Sequence, residues 1–243
     1  MHEIAFHDMP DGRRIAYRHR QGDGPTLVFL PGYMSDMAGG KATALFEEAE
    51  AKDRACLLLD YSGCGDSSGA FSEGSLSRWR EEVLTLVGAL VKGPVLLTGS
   101  SMGGWLMLLV AEALGGRLEG MIGIAPAPDF TRWGYSEEQR TQLSKGNTIY
   151  EDNPYGAEPT PTHAHFFADA ERQMRLGSAI AIDCPVRLLH GQRDADVPWE
   201  ISLRLAQALR SDDIQVCLVK DGDHRLSRAG DIALLTAQVA SFY

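Results

Sequence analysis

Basic segments are scarce in this 243-residue chain, where 23 Lys and Arg stand against 33 Asp and Glu for a formal net charge of −10. No Lys/Arg-rich run offsets that balance, so the surface repels a phosphate backbone and nucleic acid is excluded as a partner. Long apolar runs are missing as well. A helix needs about 20 consecutive apolar residues to span a bilayer, so no membrane span is expected. No basic stretch backed by an apolar segment opens the sequence, which reads as a soluble, cytoplasmic protein. Cysteine is sparse: Cys56, Cys64, Cys184 and Cys217 show no C-x-x-C spacing, and Cys56 and Cys217 fall within apolar strand-like runs. They read as buried or incidental thiols of a reducing compartment, not as a disulfide framework. The G-x-G-x-x-G and G-x-x-x-x-G-K patterns are absent, so neither a nucleotide nor a flavin is expected and the cofactor reading is none. The turn Asp60-Tyr61-Ser62-Gly63-Cys64-Gly65 is then a tight connection after a strand. Repeats and low-complexity tracts are lacking too.

The chain does contain a regular alternation. After a hairpin formed by Ile4-Ala5-Phe6 and Ile15-Ala16-Tyr17 around the turn Met9-Pro10-Asp11-Gly12, strand-like and helix-like segments follow one another. Strands are predicted at Thr26 to Leu30, Ala55 to Tyr61, Val95 to Thr98, Gly120 to Ala125, Cys184 to His190 and Ile214 to Val219. Helices are predicted near Leu76 to Val91 and from Met102 to Leu114, with another starting around Pro198 and one at the C-terminus. That rhythm implies an α/β fold, a mainly parallel sheet with helices on both faces and ligands at the carboxyl ends of its strands. With 44% hydrophobic residues at this length, one domain can bury its own core.

Between about 128 and 182 the rhythm breaks. Helix-like pieces at Glu137 to Lys145 and Thr162 to Leu176 flank a turn-rich stretch, with no strand of its own, and the whole is most simply a lid inserted into the domain. Its residues Trp133, Tyr135, Tyr150, Phe166, Phe167 and Met174 fit an acyl pocket and a buried packing face equally well.

Three segments carry chemistry. Gly99-Ser100-Ser101-Met102-Gly103 lies between a strand and a helix, the context of a nucleophile elbow. Small residues two before and two after the nucleophile let strand and helix approach, and centring on Ser101 provides Gly99 and Gly103, whereas centring on Ser100 would place Thr98 and Met102 there. Alone, a G-x-S-x-G match arises by chance. Asp194 adds weight because it follows a strand-like run in His190-Gly191-Gln192-Arg193-Asp194, with Val197-Pro198 behind it. Asp196 competes with it, but the spacing to Gly191 and to the Val197-Pro198 pair favours Asp194, and Asp196 reads as a polar residue near the start of the next helix. His224 sits in the polar turn after the last strand, free to reach Ser101. His2, His7 and His19 flank the N-terminal hairpin and His190 ends a strand, where a packed or hydrogen-bonded core histidine is expected. His163 and His165, two apart on a helix, point away from each other, and no metal site is expected. Serine, acid and histidine thus occur in the chain order of an α/β-hydrolase. In that reading Ser101 attacks, His224 carries the proton and Asp194 orients His224, while an oxyanion hole forms from the backbone N–H groups of Met102 and Tyr33.

Leu30-Pro31-Gly32-Tyr33-Met34-Ser35, Asp60-Tyr61-Ser62-Gly63-Cys64-Gly65, Gly99-Ser100-Ser101-Met102-Gly103-Gly104-Trp105-Leu106-Met107, Leu188-Leu189-His190-Gly191 and Asp223-His224-Arg225 together resemble the α/β-hydrolase domain-containing protein 10 family. The resemblance runs from about Leu27 to the C-terminus and is weakest in the lid. It implies an α/β-hydrolase fold, a Ser101, Asp194, His224 triad and an acyl-protein thioesterase or acyl-glucuronide esterase activity. The partner expected is a small-molecule or lipid-like acyl substrate, an S-acylated protein included. Vertebrate members resemble mitochondrial proteins with a targeting extension, whereas this chain begins almost at its first strand, so a bacterial-type cytoplasmic relative is expected. The competing readings are the same triad applied to carbon–carbon, peracid or peptide chemistry, and a catalytically silent protein holding a small apolar ligand.

Overall fold

The backbone of the computed structural model is described for residues 3–154 and 156–243, so the hairpin-flanking His2 lies outside the described residues. Strands β1 (Ala5–Asp8), β2 (Arg14–Arg20), β3 (Asp23–Leu30), β4 (Arg54–Leu59), β5 (Val95–Ser100), β6 (Leu118–Ile124), β9 (Val186–Gly191) and β10 (Ile214–Val219) form one eight-stranded sheet in the order β1-β2-β4-β3-β5-β6-β9-β10. The five pairings from β4 to β10 are parallel, and only the N-terminal hairpin and its junction with β4 run antiparallel. The hairpin turn closes as its residues dictate, with the Gly12 N–H donating to the Met9 carbonyl (2.9 Å) and Gly12 at φ 88°.

Strand periodicity of two divides the core. In β3, Leu27 and Phe29 join one buried cluster while Val28 and Leu30 join the other, and in β4 the same split separates Cys56 and Leu58 from Leu57 and Leu59. Helices α1 (Gly40–Ala51) and α8 (Ala229–Ala240) cover the first face, through Leu45, Phe46, Leu235 and Val239. Helices α2 (Leu76–Leu90) and α3 (Met102–Leu114) cover the second, through Trp79, Val83, Trp105 and Leu109, and α7 (Glu200–Ala208) adds Leu205 there. Every residue of α3 from Met102 to Ala111 is buried, which explains why that stretch is apolar on all sides. This is the mainly parallel sheet with helices on both faces that the alternation predicts, and it has the arrangement that the resemblance to α/β-hydrolases implies. Helix α1 has no counterpart in that alternation, although Ala42, Leu45, Phe46 and Ala49 repeat at helical spacing and are its buried residues.

Between β6 and β9 the chain leaves the sheet. It forms α4 (Phe130–Trp133), α5 (Glu137–Ser144), a two-stranded antiparallel ribbon of β7 (Ile149–Glu151) and β8 (Thr160–Thr162), and α6 (Ala164–Ala170). Two expectations are corrected here. The excursion has strands of its own, because Ile149 and Glu151 pair with Thr162 and Thr160 on either side of Pro161. The helix expected over Thr162 to Leu176 is confined to Ala164–Ala170. Its end is tightened by i→i+3 bonds from Arg172 and Gln173, after which the N–H groups of Arg175 and Leu176 turn away to the Asp129 carboxylate, each at 2.8 Å. A carboxylate recruiting two backbone donors outcompetes the continuing helix.

Candidate active site

Strand β5 ends at Ser100 and α3 begins at Met102, so Ser101 bridges them in a single-residue turn with φ 54° and ψ −121°. A serine in this region is strained, and the strain persists because the surroundings fix it: its N–H donates to the Ile124 carbonyl (2.9 Å) and its own carbonyl accepts from Ala127 (3.0 Å). The flanking glycines are required by space. A Cβ on Gly99 would lie 2.7 Å from the Gly103 carbonyl carbon, one on Gly103 would strike the Leu30 and Pro31 carbonyls, and one on Gly104 would lie 2.5 Å from the Pro126 side chain.

Asp194 and His224 come from neighbouring loops after β9 and β10. The loops are strapped together by Gln192 N–H to Val219 O (2.9 Å) and Arg193 N–H to Gly222 O (2.8 Å), and Gly191 has no room for a Cβ against Asp223 and Gly222. The three side chains meet as expected. His224 Nδ1–H donates to Asp194 Oδ2 at 2.8 Å, and Ser101 Oγ–H donates to His224 Nε2 at 3.1 Å. The Asp194 carboxylate is fully buried and the His224 ring 14% exposed. Burial alone would push the Asp194 carboxyl up. Donors from His190, His224 and Val197 outweigh it and hold the carboxyl well below the usual range. Asp196 does not take this place. The carboxylate that accepts from His224 Nδ1–H is that of Asp194, and Asp196 donates its backbone N–H to Asp194 Oδ1 at 2.9 Å. His190 is a buried, hydrogen-bonded core residue, as expected, bonded to Ser202 Oγ (2.7 Å), Asp194 Oδ2 (3.1 Å) and Val197 O (3.1 Å).

Met102 is the first residue of α3, and its N–H is one of the donors a helix start leaves without an intrahelical partner. Tyr33 follows β3 in the turn closed by Ser35 N–H to Gly32 O (3.1 Å). Both residues line the same cavity as Ser101 and His224. The turn is braced from behind by residues that lie outside the cavity: the Tyr61 hydroxyl donates to the Pro31 carbonyl (3.1 Å), and Asp60 Oδ1 accepts from Met37 N–H (2.7 Å). The tight turn at Asp60 thus supports the site without forming it.

The cavity measures about 570 Å³. One wall is aromatic and comes from Tyr33, Phe130, Trp133 and Tyr135, while Ser35, Asp36, Lys41, Arg225 and Ser227 lie on its polar side. Lys41 is held with its ammonium on the Arg225 carbonyl, and burial pushes it down to about 8. Of the excursion residues expected either to line a pocket or to pack, Trp133 and Tyr135 line it, Phe166 is buried in the main core with Met174 packed against that core, Phe167 is buried in a small cluster with Leu143 and Ile149, and Tyr150 is exposed. Phe130 was missed, its signal hidden in a four-residue helix. His163 occupies the position just before α6 without a side-chain cap, and its Nδ1 pairs with Thr148 Oγ1 at 3.0 Å. Ligand atoms of Asp194, Asp196 and His224 lie within 4.8 Å of one another, yet Asp194 and His224 already spend theirs on each other, so a metal would have to break that pair. Among the described residues no helix is long and apolar enough to cross a membrane.

Residues 27–233 match the alpha/beta hydrolase family. The human palmitoyl-protein thioesterase ABHD10, mitochondrial, is 36% identical over 241 residues, covering 96% of this chain and 77% of that protein. The structure of alpha/beta hydrolase domain-containing protein 10 from mouse superposes with a TM-score of 0.91 at 35% identity, over 98% of this chain and 97% of that one. A putative hydrolase from Agrobacterium vitis S4 superposes with a TM-score of 0.92 at 35% identity, over 99% of both chains. The mitochondrial names of the curated relatives give no support to the cytoplasmic expectation. The match spans most of the chain at more than a third identity, and the protein belongs to the α/β-hydrolase family, alongside ABHD10 within it.

Proposed function

We propose that this protein hydrolyses carboxylic esters or thioesters through an acyl-Ser101 intermediate. The observation that carries the reading is the unbroken hydrogen-bond chain Ser101–His224–Asp194 on a strained elbow facing a cavity. The Ser101 oxygen attacks the acyl carbon while its proton passes to His224 Nε2, and Asp194 holds the ring with Nδ1 protonated and stabilises the imidazolium. The resulting oxyanion is received by the N–H groups of Met102 and Tyr33. Collapse breaks the bond to the alcohol or thiol, which leaves with the proton from His224. Water, deprotonated by the same nitrogen, then attacks the acyl-serine, and the acid departs as Ser101 recovers its proton. The aromatic wall of Tyr33, Phe130, Trp133 and Tyr135 suits the acyl chain. Residues of about 128–182, inserted as a lid on a single domain, set acyl preference, since they supply Phe130, Trp133 and Tyr135 to the cavity. Thioester hydrolysis is the activity named for the human and mouse relatives and is the chemistry this reading favours.

The test is turnover of matched oxygen-ester and thioester substrates over a series of acyl lengths, with Ser101→Ala in parallel. Turnover by the wild type and none by the variant supports the reading, and the length profile defines the acyl site. Equal turnover by both proteins, or none by either across the series, overturns it.

A further inference from the structure

Asp194 serves two histidines. Besides His224, the ring of His190 approaches the same carboxylate oxygen: His190 Nε2 lies 3.1 Å from Asp194 Oδ2 and 3.1 Å from the Val197 carbonyl oxygen. Both neighbours are acceptors only, so Nε2 must carry a hydrogen. The other nitrogen, Nδ1, lies 2.7 Å from Ser202 Oγ on α7. In a neutral ring Nδ1 accepts, and the Ser202 hydroxyl is its donor. The His190 ring is completely buried, as are Ser202 and the Asp194 carboxylate. This places an ordered relay, Ser202 to His190 to Asp194, behind the Asp194–His224 pair. The notch it occupies is rigid because β9 carries His190 while α7 carries Ser202, and Val197 is fixed between them by its own N–H to Asp194 Oδ1 (2.8 Å).

We propose that His190 is a positioning residue of the hydrolytic triad: Ser202 holds the ring in place through Nδ1, and its Nε2–H holds the Asp194 oxygen that receives His224 Nδ1–H. This rests on the triad reading above and deepens it. Without the His190 donor the carboxylate keeps the Asp196 and Val197 N–H groups on Oδ1, but Oδ2 is held by His224 alone and carries more charge towards that ring. An Oδ2 no longer held from the His190 side can tilt about the Oδ1 anchor, which lengthens the bond that orients the base and lowers kcat. Greater charge lets the imidazolium keep its proton to higher pH, so the acid limb of the rate profile moves upward. A histidine that merely fills the core would affect stability and leave that limb in place. The charged groups that line the cavity with His224 are Asp36 and Lys41 from before and within α1, Glu151 and Asp152 of the excursion, Asp196 after β9 and Arg225, and Asp223 adjoins His224 in the chain. None is altered by substitution at His190 or Ser202, so their effect on the limb is common to every variant.

The experiment measures kcat and kcat/KM against pH for the full chain, for His190→Leu, His190→Gln and Ser202→Ala, and for Ser101→Ala as control. His190→Leu is expected to lose about tenfold or more in kcat, with KM little changed and the acid limb raised by about half a unit to one unit. His190→Gln, whose amide can donate to Asp194 and accept from Ser202, should return the limb towards the wild-type position. Ser202→Ala, which removes only a hydroxyl, should shift the limb in the same direction by less, and it decides the matter if His190→Leu does not fold. An unmoved limb and unchanged kcat in a folded His190→Leu or Ser202→Ala protein overturn the assignment while Ser101→Ala is inactive. Retained turnover in Ser101→Ala overturns the triad reading and this assignment with it.

Discussion

Replacing Asp194 by Asn tests the site by changing almost nothing but hydrogen-bond polarity. The carboxylate receives four N–H groups: Asp196 (2.9 Å) and Val197 (2.8 Å) on Oδ1, His224 (2.8 Å) and His190 (3.1 Å) on Oδ2. An amide has one oxygen and one NH2 group, so one of those pairs must face a donor. The backbone pair cannot change its protons, whereas an imidazole can. The amide oxygen therefore turns to Asp196 and Val197, its NH2 group faces His224, and the ring is driven to the tautomer with Nδ1 bare and Nε2 protonated. That N–H then points at Ser101 Oγ and cannot accept its proton. A wrong tautomer in an otherwise intact triad lowers kcat by about 10⁴, close to 5.4 kcal/mol of transition-state stabilisation at ~1.36 kcal/mol per decade. Loss of charge-assisted bonds to the buried group destabilises the fold by about 1.5–3 kcal/mol, a fall in Tm of roughly 3–12 °C at about 2–4 °C per kcal/mol. Steady-state hydrolysis of an activated ester, with a thermal melt on the same sample, measures both. A folded Asp194→Asn protein that retains more than about a tenth of wild-type kcat refutes the argument.

Gly191→Ala places a Cβ 2.6 Å from the Asp223 carbonyl oxygen, so the straps between the two loops must open. The expected result is a loss of at least about 10²-fold in kcat with a lowered Tm, and wild-type kinetics would show that the Asp194–His224 separation does not depend on that contact. Lys41, pushed down to about 8 by burial, binds fewer protons folded than unfolded between that value and the ordinary lysine range. Its burial therefore costs stability at neutral pH, and the cost fades as pH rises. Lys41→Met should raise Tm by a few degrees near neutrality, with the gain vanishing above about pH 10; a gain constant with pH would contradict the assignment of the cost to the ammonium. The thiols of Cys56 and Cys64 are pushed up to about 12 and that of Cys184 to about 11, chiefly by burial. Maleimide treatment at neutral pH should leave turnover intact, and rapid inactivation would point to a thiol in the chemistry.

The residues that could be read from the sequence are those whose identity is forced by local geometry. Ser101 was singled out by Gly99 and Gly103, and the structure shows why no larger residue fits: strand and helix backbones touch there. Asp194 and His224 were legible because each lies in the turn after a strand-like run, Asp194 marked also by its spacing to Gly191 and Val197-Pro198 and His224 by the alternation of the last strand, and the carboxyl ends of parallel strands share one edge of the sheet. Tyr33 followed from the same logic applied to β3. Helix α1 was not read, since a Gly39-Gly40 start and an alanine-rich buried face give a weak signal. The end of α6 depended on Asp129, more than 40 positions away in the chain, recruiting the N–H groups of Arg175 and Leu176. No periodicity within 162–176 carries that information. The division of the excursion's aromatics between cavity and core was likewise invisible, because Trp133 and Phe166 differ only in what lies opposite them.

This division has a mechanistic consequence. The three side chains of the hydrogen-bond chain, together with the turn at Tyr33, are fixed by sheet strands and by braces beneath them, namely Tyr61 on Pro31, Asp60 on Met37 and His190 on Asp194. The aromatic wall facing Ser101 is supplied largely by the excursion after β6, which touches the elbow through Ala127 N–H to Ser101 O and reaches over to Tyr33 through its hydroxyl bond to Pro161 O (3.1 Å). Substitutions within the wall should therefore redistribute KM among acyl lengths while leaving the pH profile in place, whereas substitutions in the braces should lower kcat for every substrate alike. Phe130→Ala and Tyr61→Phe form the informative pair. Phe130 packs on Trp105, Tyr135 and Phe166 in the cavity wall, whereas Tyr61→Phe keeps the buried ring on Trp79 and removes only the donor to Pro31. A change in chain-length preference from Tyr61→Phe, or a uniform kcat loss from Phe130→Ala, would show that specificity and chemistry are not separated in this way.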